Sequence, residues 1–381
     1  MSEARRLWLR SSVDVTAKLW RVSWGFVLLL CLLAGVGYAA LYSVAGGSPR
    51  PYAEADAIRF AAGLVLMLVV AMTDIRVIAR LAWPFYFVSL GLLAAVLRFG
   101  HLGKGAQRWL ELGGFQLQPS ELMKIALVLA LAAWFRRASW ERIGNPLFLL
   151  VPLAAIAAPV ALILKEPNLG TAVITAAVGG AMLFAAGVRW WKFALVLLPV
   201  PLAARLVYAH LHDYQRARID TFLHPETDPL GAGYNILQSK IALGSGGMWG
   251  EGYLHGTQAQ LNFLPEKQTD FIFSTIGEEM GFVGAAAVLA LLGAIVLAAM
   301  AMALRCRNQF GRLLSLGISF NFFMYVFVNI AMVMGAIPVG GVPLPLVSHG
   351  GSAMLTAMLG FGLLLSAYVH RDVAFADEAA A

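Results

Sequence analysis

Residues 24–44 read WGFVLLLCLLAGVGYAALYSV. This is an apolar run without a single charge, and a helix needs roughly 20 such residues to cross the hydrocarbon core of a bilayer. Ser43-Val44-Ala45 has the small residues of a signal-peptide cleavage site, but the apolar core of a signal peptide is usually about 7–15 residues long. The expectation is a retained membrane helix.

Working outward, the same ruler finds further runs near 57–73, 81–99, 119–135, 147–164, 168–188, 191–210, 277–303, 313–335 and 350–369. With the first, they make ten. The fold class expected is an all-α polytopic membrane protein. Composition agrees: 60% of the 381 residues are hydrophobic and 13% are charged, whereas soluble domains carry about 25% charged residues. Lipid must solvate much of this surface.

The net charge of +7 does not point to nucleic acid, because the basic residues fall in short clusters between apolar runs. Arg5, Arg6, Arg10, Lys18 and Arg21 form one cluster. Arg76 with Arg80, Arg136 with Arg137 and Arg142, Arg189 with Lys192, and Arg305 with Arg307 and Arg312 form others. Such clusters mark cytoplasmic loops. Both termini are then cytoplasmic, with 1–23 and 371–381 as tails of a 24–370 membrane domain. Residues 211–276 become a long extracytoplasmic loop between helices 7 and 8. Cys31 and Cys306 lie in or beside apolar runs, far apart, and form no disulfide framework or metal motif. No Walker loop, Rossmann fingerprint or His-Glu-x-x-His is present.

Three patches could carry chemistry. Gln118-Pro119-Ser120-Glu121 opens the fourth span, and Lys124 shares a helix face with Glu121. This pair either snorkels at the interface or lines a polar cavity. In the long loop, 238–274 carries Gly244, Gly246, Gly247, Gly250 and Gly252, then Glu266, Lys267, Thr269 and Asp270. Asp270 is either a helix N-cap or a partly desolvated general base. The third patch, Pro338 to Ser352, has too many prolines and glycines for a continuous helix. Irregular backbone at membrane depth requires protein or water to satisfy it.

Together these patches resemble the SEDS family (shape, elongation, division, sporulation). The resemblance rests on Gly105-x-x-Arg108-Trp109, Gln118-Pro119-Ser120-Glu121 with Lys124, Pro167-x-Leu169-Gly170-Thr171-Ala172, the whole 238–274 segment, and Pro343-Leu344-Pro345-Leu346-Val347-Ser348-x-Gly350-Gly351-Ser352. Gln238-Ser239-Lys240-Ile241-Ala242 and Leu254-His255-Gly256-Thr257-Gln258-x-Gln260 resemble the elongation members more than the division members. Two positions depart from the family pattern: Asn168 stands where aspartate is usual, and His349 where tyrosine is usual.

The resemblance implies a peptidoglycan glycosyltransferase of the bacterial inner membrane that polymerises lipid II during elongation and rod-shape maintenance. Its expected partners are lipid II, the growing glycan strand, membrane lipid and a class B penicillin-binding protein. The family's essential aspartate matches Asp270, and its buried Glu-Lys pair matches Glu121 and Lys124. Arg108, Trp109, Gln118, Ser120, Ser239, Lys240, Gln258, Gln260, Glu266, Lys267, Thr269, Ser348 and Ser352 are the other expected cavity or substrate residues. Arg108, Lys124, Lys240 and Lys267 are candidates to stabilise the leaving diphosphate, with a divalent cation such as Mg or Mn by analogy. Rival readings are a lipid II flippase and a non-catalytic scaffold for the penicillin-binding protein.

Overall fold

The computed structural model describes residues 15–103, 106–112, 115–166, 168–198, 216, 220–222, 224, 232–261 and 263–375. Of the sequence expectations, Lys104, Gly105, Pro167, most of the seventh span beyond Leu198, most of 211–231 and both chain ends lie outside these residues.

Alternation of apolar runs and short polar turns produces an antiparallel bundle. After a short α1 (Val15–Arg21), α2 (Trp24–Val44), α3 (Ala53–Met72) and α4 (Ile75–Phe99) traverse it in turn. α5 (Pro119–Phe135) follows a three-stranded meander, and short α6 (Trp140–Gly144) leads into α7 (Pro146–Lys165). α8 (Leu169–Ala185) and α9 (Trp190–Leu197) come next. Then α10 (Ala232–Ser245), the short α11 (Thr257–Gln260), α12 (Ile272–Arg305), α13 (Gln309–Val333) and α14 (Gly351–Val369) complete the order. α2, α3, α4, α7, α12, α13 and α14 are long and apolar enough to cross a membrane, and α8 is a shorter apolar helix. The chain thus folds as a multi-pass membrane protein, with a helix in each of the ten predicted runs. The seventh is described only over α9.

α5 occupies the centre, because it is apolar and buried on nearly every side from Ile125 to Ala132. α4 and α13 flank it, and α14 lies against α3. Small residues allow that last contact: Gly63 meets Met358, and Gly362 meets the α3 backbone at Met67.

The meander was not expected. β1 (His101–Gly103), β2 (Ala106–Leu112) and β3 (Phe115–Leu117) pair antiparallel in that order, with Leu110 opposite Leu117. The charges at Arg108 and Glu111 give 98–118 the look of an irregular loop, but three short strands satisfy its backbone there.

Two interruptions shape the same end of the bundle. α12 breaks at Gly281, whose φ of 66° and ψ of −167° are open to glycine. The chain at 247–252 fills the break: Phe282 and Val283 donate to the carbonyls of Gly247 and Met248, while Glu251 and Gly252 donate to those of Glu278 and Glu279. Residues 334–350 form the second interruption. Asn329 donates to the Val342 carbonyl at 2.7 Å, and Leu344 N–H donates to Ser348 Oγ at 2.8 Å. Both breaks obey the rule that irregular backbone at membrane depth is satisfied by protein.

Candidate active site

At the loop end, α5 begins with Pro119 in its first turn, which costs no hydrogen bond. Glu121 and Lys124 then point the same way. Lys124 Nζ lies 2.8 Å from Glu121 Oε1, and Lys124 is only 1% exposed. Tyr325 of α13 closes the cluster: its hydroxyl donates to Glu121 Oε2 and accepts from Lys124. This burial excludes the snorkelling alternative. Glu121 lines a cleft with Asn321, Tyr325, Leu344, Ser348 and Thr356, and the broken 334–350 segment forms its far wall.

Asp270 stands at the other side of that segment. Its Oδ2 is 3.7 Å from where a Cβ on Gly341 would sit. Asn329 Nδ2 donates both to the Asp270 carbonyl, at 2.8 Å, and to the Val342 carbonyl. The N-cap of α12 is Phe271, with no side-chain cap. Asp270 therefore does not cap the helix, and its side chain is half-buried at the start of α12.

The turn before it is built by its own side chains. Thr269 Oγ1 donates to Glu266 Oε2 at 3.0 Å, and Lys267 donates to the Ala259 carbonyl. Burial lowers the Lys267 ammonium below the usual lysine range. His349 N–H donates to the Gln268 carbonyl at 2.8 Å, tying this turn to the broken segment.

Other expected residues are spent on structure. Ser239 is fully buried and bonds to Ser274 Oγ and the Val333 carbonyl, each at 2.7 Å. It fastens α10 to α12 and α13. Ser348 Oγ is taken by Leu344 N–H, although the residue lines the cleft. Gln260 Nε2 donates to the Ser43 carbonyl at 2.9 Å. Gln258 is half-buried, and its backbone N–H donates to Glu278 at 2.7 Å. Lys240 is exposed on α10 beside Gly335. Trp109 pairs across the meander with His101, and Gln118 is half-buried just before α5. Ser120 and Ser352 are buried, with hydroxyls unpartnered among the described residues.

Asn168, where the family pattern breaks, caps α8 by accepting from Thr171 N–H at 3.4 Å. Two residues earlier, Glu166 is buried near Arg108. Burial pushes its carboxyl up to about 8, against the pull of Arg108.

Sequence reasoning missed Tyr325, Asn329, Glu278 and Glu279. Glu278 accepts from the backbone of Gln258 and Ala259 and so holds α11, while Glu279 bonds to Ser43 Oγ. The available signal was that charged residues within an apolar run seldom lack a role. Tyr325 and Asn329 share one face of α13 by their spacing of four.

Residues 22–373 match the profile of the FtsW/RodA/SpoVE family, described as cell cycle proteins. The chain is 44% identical over 352 residues to peptidoglycan glycosyltransferase MrdB of Escherichia coli strain K12, covering 91% of this chain and 94% of that one. It is 42% identical over 313 residues to a probable peptidoglycan glycosyltransferase FtsW of Trichlorobacter lovleyi, covering 80% of each. Among solved structures, a chain from a peptidoglycan synthase complex that coordinates polymerization and crosslinking superimposes with a TM-score of 0.80 at 31% identity. That match covers 92% of this chain and 98% of the other. The rod shape determining protein RodA of Thermus thermophilus gives 0.70 at 28% identity, covering 93% and 98%.

Proposed function

The chain belongs to the FtsW/RodA/SpoVE family of cell cycle proteins, the SEDS family, and from that premise we propose that it is a peptidoglycan glycosyltransferase polymerising lipid II into glycan strands for cell elongation. The reaction joins the 4-hydroxyl of the incoming GlcNAc to the anomeric carbon of the donor sugar. The C–O bond to the undecaprenyl diphosphate breaks as the new C–O bond forms, and one in-line displacement inverts the centre. Asp270 takes the hydroxyl proton as general base, as the base carboxylate does in inverting sugar hydrolysis. The observation that carries this reading is the place of the Asp270 carboxylate, half-buried at the start of α12 and set against Gly341 of the broken segment.

Glu121, Lys124 and Tyr325 fix the wall of the cleft next to this base. Lys124 is paired within that cluster, so it supplies shape more than free charge. The enzyme works in the bacterial inner membrane beside a class B penicillin-binding protein that cross-links the strand, in keeping with the complex named for its structural neighbour. For a divalent cation, no three His, Cys, Asp or Glu side chains cluster among the described residues. No step is assigned to one.

A flippase would need a polar route through the bundle. Below Lys124, α5 is continuously apolar and buried from Ile125 to Ala132, which favours the polymerase. The test is purified protein with labelled lipid II in detergent, where no second compartment exists. Wild type is expected to build glycan chains and Asp270→Asn to build none while melting normally. Near-normal chains from that variant would sink the assignment of the base.

A further inference from the structure

Two positive groups meet where α14 begins. Gly350 precedes the helix, and no side chain caps it. The first turn therefore presents backbone N–H groups backed by the positive end of the helix dipole. Arg59 of α3 lies against this turn, for a Cβ on Gly351 would stand 3.6 Å from its Nε and Cζ. A guanidinium at a helix N-terminus is unfavourable on its own, because cations are stabilised at the opposite end. Asp56 offsets part of this charge: its Oδ1 accepts from Arg59 Nη1 at 2.8 Å and stands 3.2 Å from His349 Nδ1. A second, independent feature is Ser352, the second residue of the turn. It is 1% exposed, and its hydroxyl has no partner among the described residues. Buried hydroxyls are costly unless something bonds to them.

We propose that Arg59, Ser352 and the first-turn N–H groups of α14 form the subsite for the diphosphate of a polyprenyl-diphosphate lipid. This deepens the polymerase reading and rests on it for the identity of the lipid. Helix N-termini and arginine are the two structural elements best suited to phosphate oxygens. The subsite is tied to the turn that carries the base, because His349 N–H is bonded to the Gln268 carbonyl, two residues before Asp270. It also places a guanidinium there, of which the bond to Asp56 engages Nη1. Beside it, a groove is lined by Cys31, Tyr38, Asp56, Phe60, Leu346 and Met354. Apart from Asp56 and Tyr38 the lining is apolar, as a prenyl chain requires.

The test uses the purified full chain in detergent and measures binding of undecaprenyl diphosphate and of undecaprenol. Arg59→Gln is expected to bind the diphosphate lipid about 10–100-fold more weakly, the range for one lost charge-assisted hydrogen bond. Its affinity for undecaprenol should not change. Ser352→Ala should weaken the diphosphate lipid less. Competition by inorganic diphosphate supports recognition through the anion, and competition by undecaprenol alone overturns it. Should Arg59→Gln melt early, Arg59→Lys replaces it, and weaker binding is still expected because lysine lacks the two-pronged fork. Wild-type affinity in a folded Arg59 variant would place the diphosphate elsewhere. Asp270→Asn should bind normally, so failure of the base assignment and failure of this subsite give different results.

Discussion

Lys124 sits where few lysines can, beneath the loop end and sealed by Tyr325. Removing one member of a buried ion pair strands the other, which typically costs about 3–5 kcal/mol, whereas replacing both costs far less. Lys124→Met alone is therefore expected to lower the melting temperature in detergent more than Glu121→Gln/Lys124→Met does. A double variant as unstable as the sum of its singles would show that the two charges do not support each other. Glu166 makes a second residue-scale prediction. Its folded value of about 8 lies above the unfolded carboxylate value, so the folded state holds the proton across the interval between them. Stability then falls as pH rises through that window and levels off above it. Melting curves from pH 5 to 9 should show this slope in wild type and a flatter one in Glu166→Gln. The sequence made Glu121, Lys124 and Asp270 legible as candidates, because charge in an apolar chain is rare. It could not say that Ser239 would be consumed by a helix contact, since a serine next to a lysine in a polar loop gives no hint of burial.

Helices were the easiest elements to read, for each needs a long apolar run and this chain has little else. The broken segment at 338–350 was also plain from its prolines and glycines. The meander was not, because β2 mixes Gln107, Arg108 and Glu111 with Trp109 and Leu110 and so lacks clear alternation. The break in α12 was hidden for another reason: glycine is common in membrane helices, and only the packed backbone reveals which glycine must bend. At Gly281 a Cβ would stand 2.7 Å from the Met248 carbonyl carbon and overlap the amide of Gly250. The positive φ adds a strain of order 1–3 kcal/mol. Gly281→Ala should thus lower the melting temperature and speed proteolysis within 246–260, the segment held against that break. Gly180 on α8 is the control, since nothing lies within 4 Å of its Cβ position. There alanine should be neutral or stabilising by up to about 1 kcal/mol. Equal behaviour of the two variants would mean that the break does not hold the loop.

For the whole molecule, the division of polar groups between the two ends carries the functional argument. The meander, α11, Asp270, Arg59 and the start of α14 gather at one end. Lys18, which donates to the Met72 carbonyl at 2.9 Å, lies at the other with Arg305, Arg307 and Arg371. Basic clusters stay on the cytoplasmic side during insertion, so the site should face outward, where the sugars are joined while their lipid anchors remain in the bilayer. This orientation can be tested without any activity. In a chain with Cys31→Ala and Cys306→Ala, one cysteine is introduced at a time. Trp249→Cys lies in an exposed part of the loop, and Glu141→Cys is exposed on α6 at the opposite end. A membrane-impermeant maleimide is expected to label Trp249→Cys in intact spheroplasts and Glu141→Cys only after permeabilisation. The reverse pattern would turn the site toward the cytoplasm and away from the sugars that it joins. Labelling of both in intact cells would signal leakage, which a cytoplasmic marker protein in the same sample detects, so only the two ordered patterns decide the orientation.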